Sequence, residues 1–268
     1  MNQIKLLDIK IDNISYKDTL KEIEDFIASK KPHQICTVNP EYLMQSKKDE
    51  ELKHILNQSA LNVADGGGLL YGARYTRQKL DYKVTGVDLI WKIAELSNKK
   101  QYRIFLLGGE NDVAIKTAQI LRHKFPKINI AGTFEGKPLI KLISRKIWQA
   151  NYRVRRSLDM RRKSNINKNN SQIMAQIAKA KPDILLVAYG CPKQDKFIAR
   201  YAQYLNVPVM IGVGGAFDYI SGKISRAPVW MRNIHLEWLY RLFAEPKRFN
   251  RIITATIRFP LAVIKHKK

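Results

Sequence analysis

Apolar residues recur along this chain with two periods. Short apolar runs end in glycine, asparagine or proline, and between them apolar positions return every three or four residues. Residues 4–14 alternate apolar and polar, which predicts an edge strand or hairpin, and residues 16–29 carry a helical period. Gln34-Ile35-Cys36-Thr37-Val38 predicts the first central strand, stopped at Asn39-Pro40 because proline lacks the ladder donor. Residues 41–58 read as helix and lead to Leu61-Asn62-Val63-Ala64, a buried strand running into Asp65-Gly66-Gly67-Gly68, with a new helix starting near Gly67. Residues 102–107 predict another buried strand, ending in Gly108-Gly109-Glu110, and Asp112 is expected to cap a helix reaching about Phe125. Residues 128–131, 183–188 and 207–212 complete the strands. Strands alternating with helices predict an α/β protein: a Rossmann-like, largely parallel sheet with helices on both faces.

Two stretches break the rhythm. Residues 137–170 hold eleven Lys or Arg and one acid, Asp159, with no clear strand. Ile140, Ile143, Ile147 and Val154 allow a basic amphipathic helix there, followed by a polar loop at 164–171. The tail from about Val229 is helical in period, and Pro246 is expected to separate two of its helices. Residues 252–264 are apolar but broken by Arg258 and Pro260. The chain therefore divides into a core at 1–228, with a basic insert at about 137–170, and a basic helical C-terminal appendage at 229–268. Trp230 and Trp238 fall at helical spacing, which favours packing of the tail on the core over a lipid-interface position.

Charge narrows the partners. The 268 residues carry 48 Lys+Arg against 23 Asp+Glu, a formal net charge of +25. Such an excess points to a polyanion, an anionic membrane face or a phosphorylated substrate. Two cysteines, Cys36 and Cys191, cannot build a disulfide framework, and a reducing cytosol suits them. Both are expected to be buried small hydrophobes rather than nucleophiles. The five histidines show no metal-ligand spacing; residues 1–5 lack a signal peptide's long apolar stretch, and without a run of about 18 apolar residues no transmembrane helix is expected.

Candidate chemistry collects at the expected strand ends. These are Thr37-Val38-Asn39-Pro40, Asp65-Gly66-Gly67-Gly68, Gly108-Gly109-Glu110, Gly190-Cys191-Pro192-Lys193-Gln194 and Gly212-Val213-Gly214-Gly215-Ala216-Phe217-Asp218. Open α/β sheets bind ligands at the carboxyl ends of their strands. Glycine turns there expose backbone N–H groups to phosphates, although tight turns need glycine in any case. Three glycines after Asp65 would let another molecule approach the backbone. Taken alone, the Asp65 stretch favours a helix N-cap; the company of the other strand ends makes Asp65 the candidate chemical centre. Neither a P-loop nor an unbroken Gly-x-Gly-x-x-Gly appears, which weakens kinase and dehydrogenase readings.

In order along the chain stand Thr37-Val38-Asn39-Pro40, Ala64-Asp65-Gly66, Val84-Thr85-Gly86-Val87-Asp88, Leu107-Gly108-Gly109, Pro192-Lys193-Gln194-Asp195, Gly212 to Asp218, Arg226-Ala227-Pro228 and Glu237-Trp238-Leu239-Tyr240-Arg241. This series resembles the WecG/TagA/CpsF glycosyltransferases, most of all the TagA branch, over residues 4–251 apart from the insert. The resemblance implies transfer of N-acetylmannosamine from UDP to undecaprenyl-diphospho-N-acetylglucosamine. The product would be a β1,4 linkage formed with inversion, the step that begins the linkage unit of wall teichoic acid. It implies no metal and no cofactor, and no Asp-x-Asp pair suggests a Mg²⁺ or Mn²⁺ bridge. It places the enzyme in the cytoplasm, peripheral on the inner face of the membrane, with the anionic leaflet as a partner.

Residue roles follow from that resemblance. Asp65 falls on the family's base, which deprotonates the acceptor hydroxyl. Thr37 matches a residue that orients a ligand by its hydroxyl, or else is a β-branched strand end. Asn39 holds the same ligand or makes the turn before Pro40. Gln194 contacts sugar or diphosphate or starts a helix, and Lys193 neutralises phosphate or is simply solvated. Gly108, Gly109 and Tyr189 belong to the substrate-binding strand ends, and Gly214, Gly215 and Asp218 surround uridine and ribose. Arg241, Arg248 and Arg251 steady the departing diphosphate or serve membrane electrostatics. Lys83 stands where family members commonly have arginine, so it keeps charge and loses the bidentate fork. The insert departs from the family and is expected to be a second membrane contact; few aromatics there disfavour nucleic acid. Another donor, UDP-N-acetylmannosaminuronate or UDP-glucose, stays open, as do a nucleic-acid-binding Rossmann-like protein, an inactive scaffold and homo-oligomerisation.

Overall fold

A computed structural model describes residues 2–136, 168–234, 237–244 and 249–266. The expected N-terminal hairpin is present: β1 (Gln3–Leu6) and β2 (Ile9–Asp12) pair antiparallel through a turn at Leu7 and Asp8. The other strands are β3 (His33–Val38), β4 (Leu61–Ala64), β5 (Ile104–Gly108), β6 (Ile130–Phe134), β7 (Ile184–Ala188) and β8 (Val209–Gly212). They form one eight-stranded sheet in the order β1-β2-β4-β3-β8-β7-β5-β6, parallel except for the β1–β2 pair. The chain builds leftward from β3 to β4, then crosses to β5 and β6 before β7 and β8 fill the middle. The reversal lies between β3 and β8, where a parallel sheet opens a crevice at its carboxyl ends.

Side chains on successive strand residues go to opposite faces, and each face has its own apolar core. Ile35, Val63, Ile104, Leu106, Leu186 and Ile211 pack on one side with α1 (Tyr16–Ser29), α5 (Gly86–Lys100) and α6 (Val113–Lys124). On the other side, Cys36 and Val38 meet α2 (Pro40–Ser46), α3 (Glu50–Gln58) and α4 (Gly67–Tyr75). Phe105, Leu107, Leu185 and Val187 meet α7 (Lys168–Ala180) and α8 (Lys193–Leu205) there. A buried ion network joins α8 to α3: Lys196 Nζ lies 2.7 Å from Asp49 and 2.9 Å from Glu51, which also holds Arg200 at 2.8 Å.

Several boundaries differ from the sequence reading for local reasons. The single helix expected over 41–58 is two helices, because Asp49 accepts from Leu52 N–H and caps a new start. Asp112 occupies the position before α6 but makes no side-chain cap. The strand expected at 128–131 begins at Ile130 instead. Short helices follow: α9 (Ala216–Ile220), α10 (Val229–Asn233), α11 (Glu237–Ala244) and α12 (Phe249–Ile253). The break expected at Arg258 and Pro260 is absent. A π turn at Thr254–Arg258 leads directly into α13 (Phe259–His266), with Phe259 N–H reaching back five residues to Thr254. That wider turn gives the Pro260 ring room within a continuing helix.

Phe259 and Val263 of α13 are buried in the core, Phe259 against Gly72 of α4. The tryptophans overturn the packing expectation: Trp230 is 62% exposed and Trp238 39% exposed. Among the described residues, no helix is long and apolar enough to cross a membrane. Pro246 and residues 137–167 of the basic insert lie outside the described residues.

Candidate active site

The carboxyl ends of β3, β4, β7 and β8 surround a cavity of about 290 Å³. Thr37, Asn39, Asp65, Gly214, Gly215, Asp218 and Arg251 all line it, brought together from four separate stretches of sequence. Asp65 follows β4, and its N–H donates to Val38 O at 2.6 Å, so the ladder with β3 holds its backbone. It does not cap α4. Gly66 occupies that position with φ +97°, and no side chain caps the helix. Instead the Asp65 carboxylate accepts the Gly86 N–H at 3.4 Å, at the start of α5. A helix N-terminus presents its unpaired N–H groups and positive dipole end, which suits a carboxylate.

The glycines after Asp65 serve the fold. Gly66 needs its left-handed turn, and a Cβ on Gly68 would stand 2.7 Å from Pro40 Cγ. Gly66, Gly67 and Gly68 are not among the lining residues, so the expected close approach of a ligand over them gives way to close approach of α4 to α2.

Thr37 is buried and donates its hydroxyl proton to Gly212 O at 2.8 Å. That bond fixes the rotor, so a ligand would meet the oxygen as an acceptor. Asn39 caps α2 by accepting from Tyr42 N–H at 3.1 Å, with Pro40 at the first helical position. Its turn-making role and its place in the cavity wall therefore coexist. Arg251 reaches the cavity from the tail and pairs with Glu41 at 2.6 Å.

A second cavity, about 210 Å³, adjoins the first and shares Ala188 and Asp218 with it. Gly109, Tyr189 and Lys193 line this one, with Glu110, Gly136 and Lys223. Lys223 pairs with Asp218 at 3.3 Å across the shared wall.

Three expected contacts line neither cavity. Gln194 is wholly buried. Its carbonyl oxygen accepts from Gly190 N–H at 3.1 Å and Gly214 N–H at 2.9 Å, and its amide donates to Tyr42 Oη at 2.6 Å. It thus staples the β7 and β8 loops and reaches the site only through them. Lys83 donates to Arg232 O at 3.4 Å, and Gly108 packs against Ala188. The Arg241 side chain and all of Arg248 lie outside the described residues.

The cavity also gathers residues to which sequence reading gave no role: Tyr42, Tyr219, Arg226 and Glu237. Arg226 and Glu237 sit in ordered motifs, but a charged residue near a basic tail carries no signal of its own. Tyr42 follows Pro40 at core-like spacing.

Charge in the site is strongly arranged. Arg226 grips Asp88 bidentately, at 2.6 and 2.8 Å. Burial would raise the Asp88 carboxyl, but hydrogen bonds from Arg226 and Thr85 outweigh it and hold the group at about 2. Burial pushes the Tyr16 phenol up to about 12, with the Asp88 and Asp65 charges adding to it. Burial likewise raises both thiols, Cys36 and Cys191, well above their ordinary value, so neither is an activated nucleophile. Under the floor, Asp195 is fully buried, and burial raises its carboxyl to about 7. Among the described residues, no three His, Cys, Asp or Glu side chains gather in a set fit for a metal ion.

A parallel-sheet crevice with a carboxylate, a fixed hydroxyl and basic residues around it is the kind of site that suits group transfer from an anionic donor. Comparison with known proteins narrows the class. The family model described as the Glycosyl transferase WecG/TagA/CpsF family matches residues 4–268, and the chain belongs to that family. It is a glycosyltransferase. It is similar to the N-acetylglucosaminyldiphosphoundecaprenol N-acetyl-beta-D-mannosaminyltransferase of Bacillus subtilis, with 34% identity over 87% of this chain and 80% of that one. The protein of that name from Bacillus spizizenii is 26% identical, covering 100% of this chain and 91% of the relative. The Staphylococcus aureus one is 24% identical over 99% and 94% respectively.

Proposed function

We propose that this glycosyltransferase moves N-acetylmannosamine from UDP to N-acetylglucosamine carried on a polyprenol diphosphate, with inversion and without a metal. The observation that carries the reading is Asp65 in the wall of the larger cavity, together with Thr37 and with Arg251 of the tail. The relatives' names supply the sugar and the lipid-linked acceptor.

The chemistry assigns the parts. The acceptor hydroxyl attacks the anomeric carbon from the face opposite UDP, and its proton passes to the Asp65 carboxylate. The bond between that carbon and the diphosphate oxygen breaks, and UDP leaves with the electron pair. Hydrogen-bond reach to the hydroxyl is the geometric demand on the base. Negative charge grows on the diphosphate, and fixed cations stabilise it best in a site closed to water. Arg251 at the larger cavity and Lys193 and Lys223 at the smaller are the cations on hand. The glycine loop at Gly214 and Gly215, with Asp218 on the shared wall, suits the nucleoside. The acceptor is lipid-linked, so the reading puts the enzyme at the cytosolic membrane face. The exposed apolar side chains of the tail, among them Trp230, Phe243, Ile257 and Leu261, support that position.

The test is incubation of the full chain with UDP-N-acetylmannosamine and a lipid-diphosphate N-acetylglucosamine analogue, with and without EDTA, followed by product analysis. The expected product is a β-linked disaccharide formed equally in both. Loss of product with EDTA and its return with Mg²⁺ would overturn the metal-free mechanism. Turnover only with UDP-glucose or UDP-N-acetylmannosaminuronate would move the reading to that donor.

A further inference from the structure

We infer that Asp88 is a positioning residue for the base. Through the first turn of α5 it holds the Gly86 N–H against Asp65, and Arg226, at the root of the tail, locks it there. The inference rests on the reading of Asp65 as the base and extends it to residues outside the reacting centre.

The contacts form a continuous path. Asp88 lies in the first turn of α5, where its Oδ2 accepts from Thr85 Oγ1 at 2.8 Å. Thr85 caps the helix in return by accepting from Asp88 N–H at 3.3 Å. Tyr16 accepts from Thr85 N–H at 2.8 Å and donates to Asp88 at 3.4 Å, bracing the same turn from α1. The next residue, Gly86, gives its N–H to Asp65. Its α-carbon is also close to the second half of the site: a Cβ there would meet Val213 O at 3.3 Å and Thr37 Oγ1 at 3.8 Å. The start of α5 therefore touches the candidate base, the fixed hydroxyl and the β8 loop together. A small tilt of this turn would misplace all three.

What fixes the tilt comes from far along the chain. Both guanidinium Nη atoms of Arg226 are spent on Asp88, and Arg232 of α10 stands 4.0 Å away. A bidentate fork fixes orientation as well as distance, which a lysine in its place would not. Arg226 lines the cavity, yet its Nη groups point to Asp88, so its arrangement is that of a brace. Among the described residues, the charged or titratable groups facing Asp88 are Arg226 and Arg232 from the tail side and Tyr16 from α1.

The test compares Asp88→Asn, Arg226→Gln and Arg226→Lys with the unaltered chain. It measures kcat and KM for the UDP-sugar across pH, with thermal unfolding of each variant. Asp88→Asn and Arg226→Gln should lower kcat roughly tenfold or more and leave KM within about twofold. With Arg226→Gln the acid limb of kcat should move to higher pH, because the base loses a nearby positive charge and a hydrogen bond to its charged form. Arg226→Lys should recover part of kcat. A rise in KM with kcat unchanged would make Arg226 a donor contact and overturn the inference. A fall in kcat matched by the unfolded fraction, with the acid limb unmoved, would make the pair merely structural and also overturn it. Asp65→Asn in the same assay separates the two claims. Retained turnover there sinks the base itself, whereas a dead Asp65→Asn beside an unmoved limb sinks only the positioning role.

Discussion

The two adjoining cavities share a wall at Ala188 and Asp218 but are built from different material. The larger collects Asp65, Thr37, Asn39 and Tyr42, and tail residues Glu237 and Arg251 close over it. The smaller is lined by Gly109, Gly136, Tyr189, two lysines and the Glu110 carboxylate, with no residue from the described tail. On the proposed reading, the first brings the proton acceptor, Asp65, and the Arg251 cation from another part of the chain to one cavity, which is what bond making and breaking requires. The second offers glycine backbone and two lysines, one of them paired with Asp218, which suit the diphosphate of a donor. On that reading, the larger cavity takes the reacting groups and the nucleoside, and the smaller adds cations for the diphosphate.

The sharpest way to break this division is Asp65→Asn. Turnover should fall by at least ~10²-fold, since general-base assistance is lost while the shape is kept. Initial rates with the lipid-linked acceptor analogue check it. Arg251→Ala should come next, with kcat down roughly tenfold or more, the loss of one charge-stabilising donor. Its ion pair with Glu41 is half exposed, so unfolding stability should change by no more than about 1 kcal/mol, read by denaturant titration. Lys193→Ala belongs to the other cavity. It should raise KM for the UDP-sugar roughly fivefold, worth about 1 kcal/mol, and leave kcat within about twofold.

The last effect is on stability rather than turnover and lies at Asp195, packed against Gly212 beneath the larger cavity. Burial raises the Asp195 carboxyl from 3.8 to about 7, so the folded chain binds a proton that the unfolded chain has released. That contribution to stability is full below pH 3.8 and is lost as pH rises through about 7. Asp195→Asn should therefore raise the melting temperature at pH 8 relative to wild type and have less effect near pH 5. A variant equally shifted at both values would contradict the buried neutral acid.

Much of this was legible in the sequence because it depends on local pattern. The apolar runs of β3, β4, β5, β7 and β8 and the helical period of α1 are short-range signals, and glycine or proline marks their ends. Asp65, Thr37 and Lys193 could be picked out because each lies at or just past the end of such a run. The partners that give these residues their roles were not legible. Gln194 looks like a ligand contact until its amide is seen holding Gly190, Gly214 and Tyr42. Arg226 and Asp88 lie 138 residues apart, and nothing local marks them as a pair. The π turn before Pro260 was missed because proline ordinarily ends a helix and only the surrounding packing decides otherwise. Trp230 is exposed although its spacing resembles a core stripe. Periodicity reports which face of a helix is apolar and is silent on what covers it.

The division between the cavities is tested most directly by titrating UDP into wild type, Asp65→Asn and Lys193→Ala by calorimetry. The account predicts that Asp65→Asn binds UDP like wild type while turning over no acceptor, and that Lys193→Ala binds it several-fold more weakly. Normal UDP binding by Lys193→Ala together with loss of binding by Asp65→Asn would contradict it.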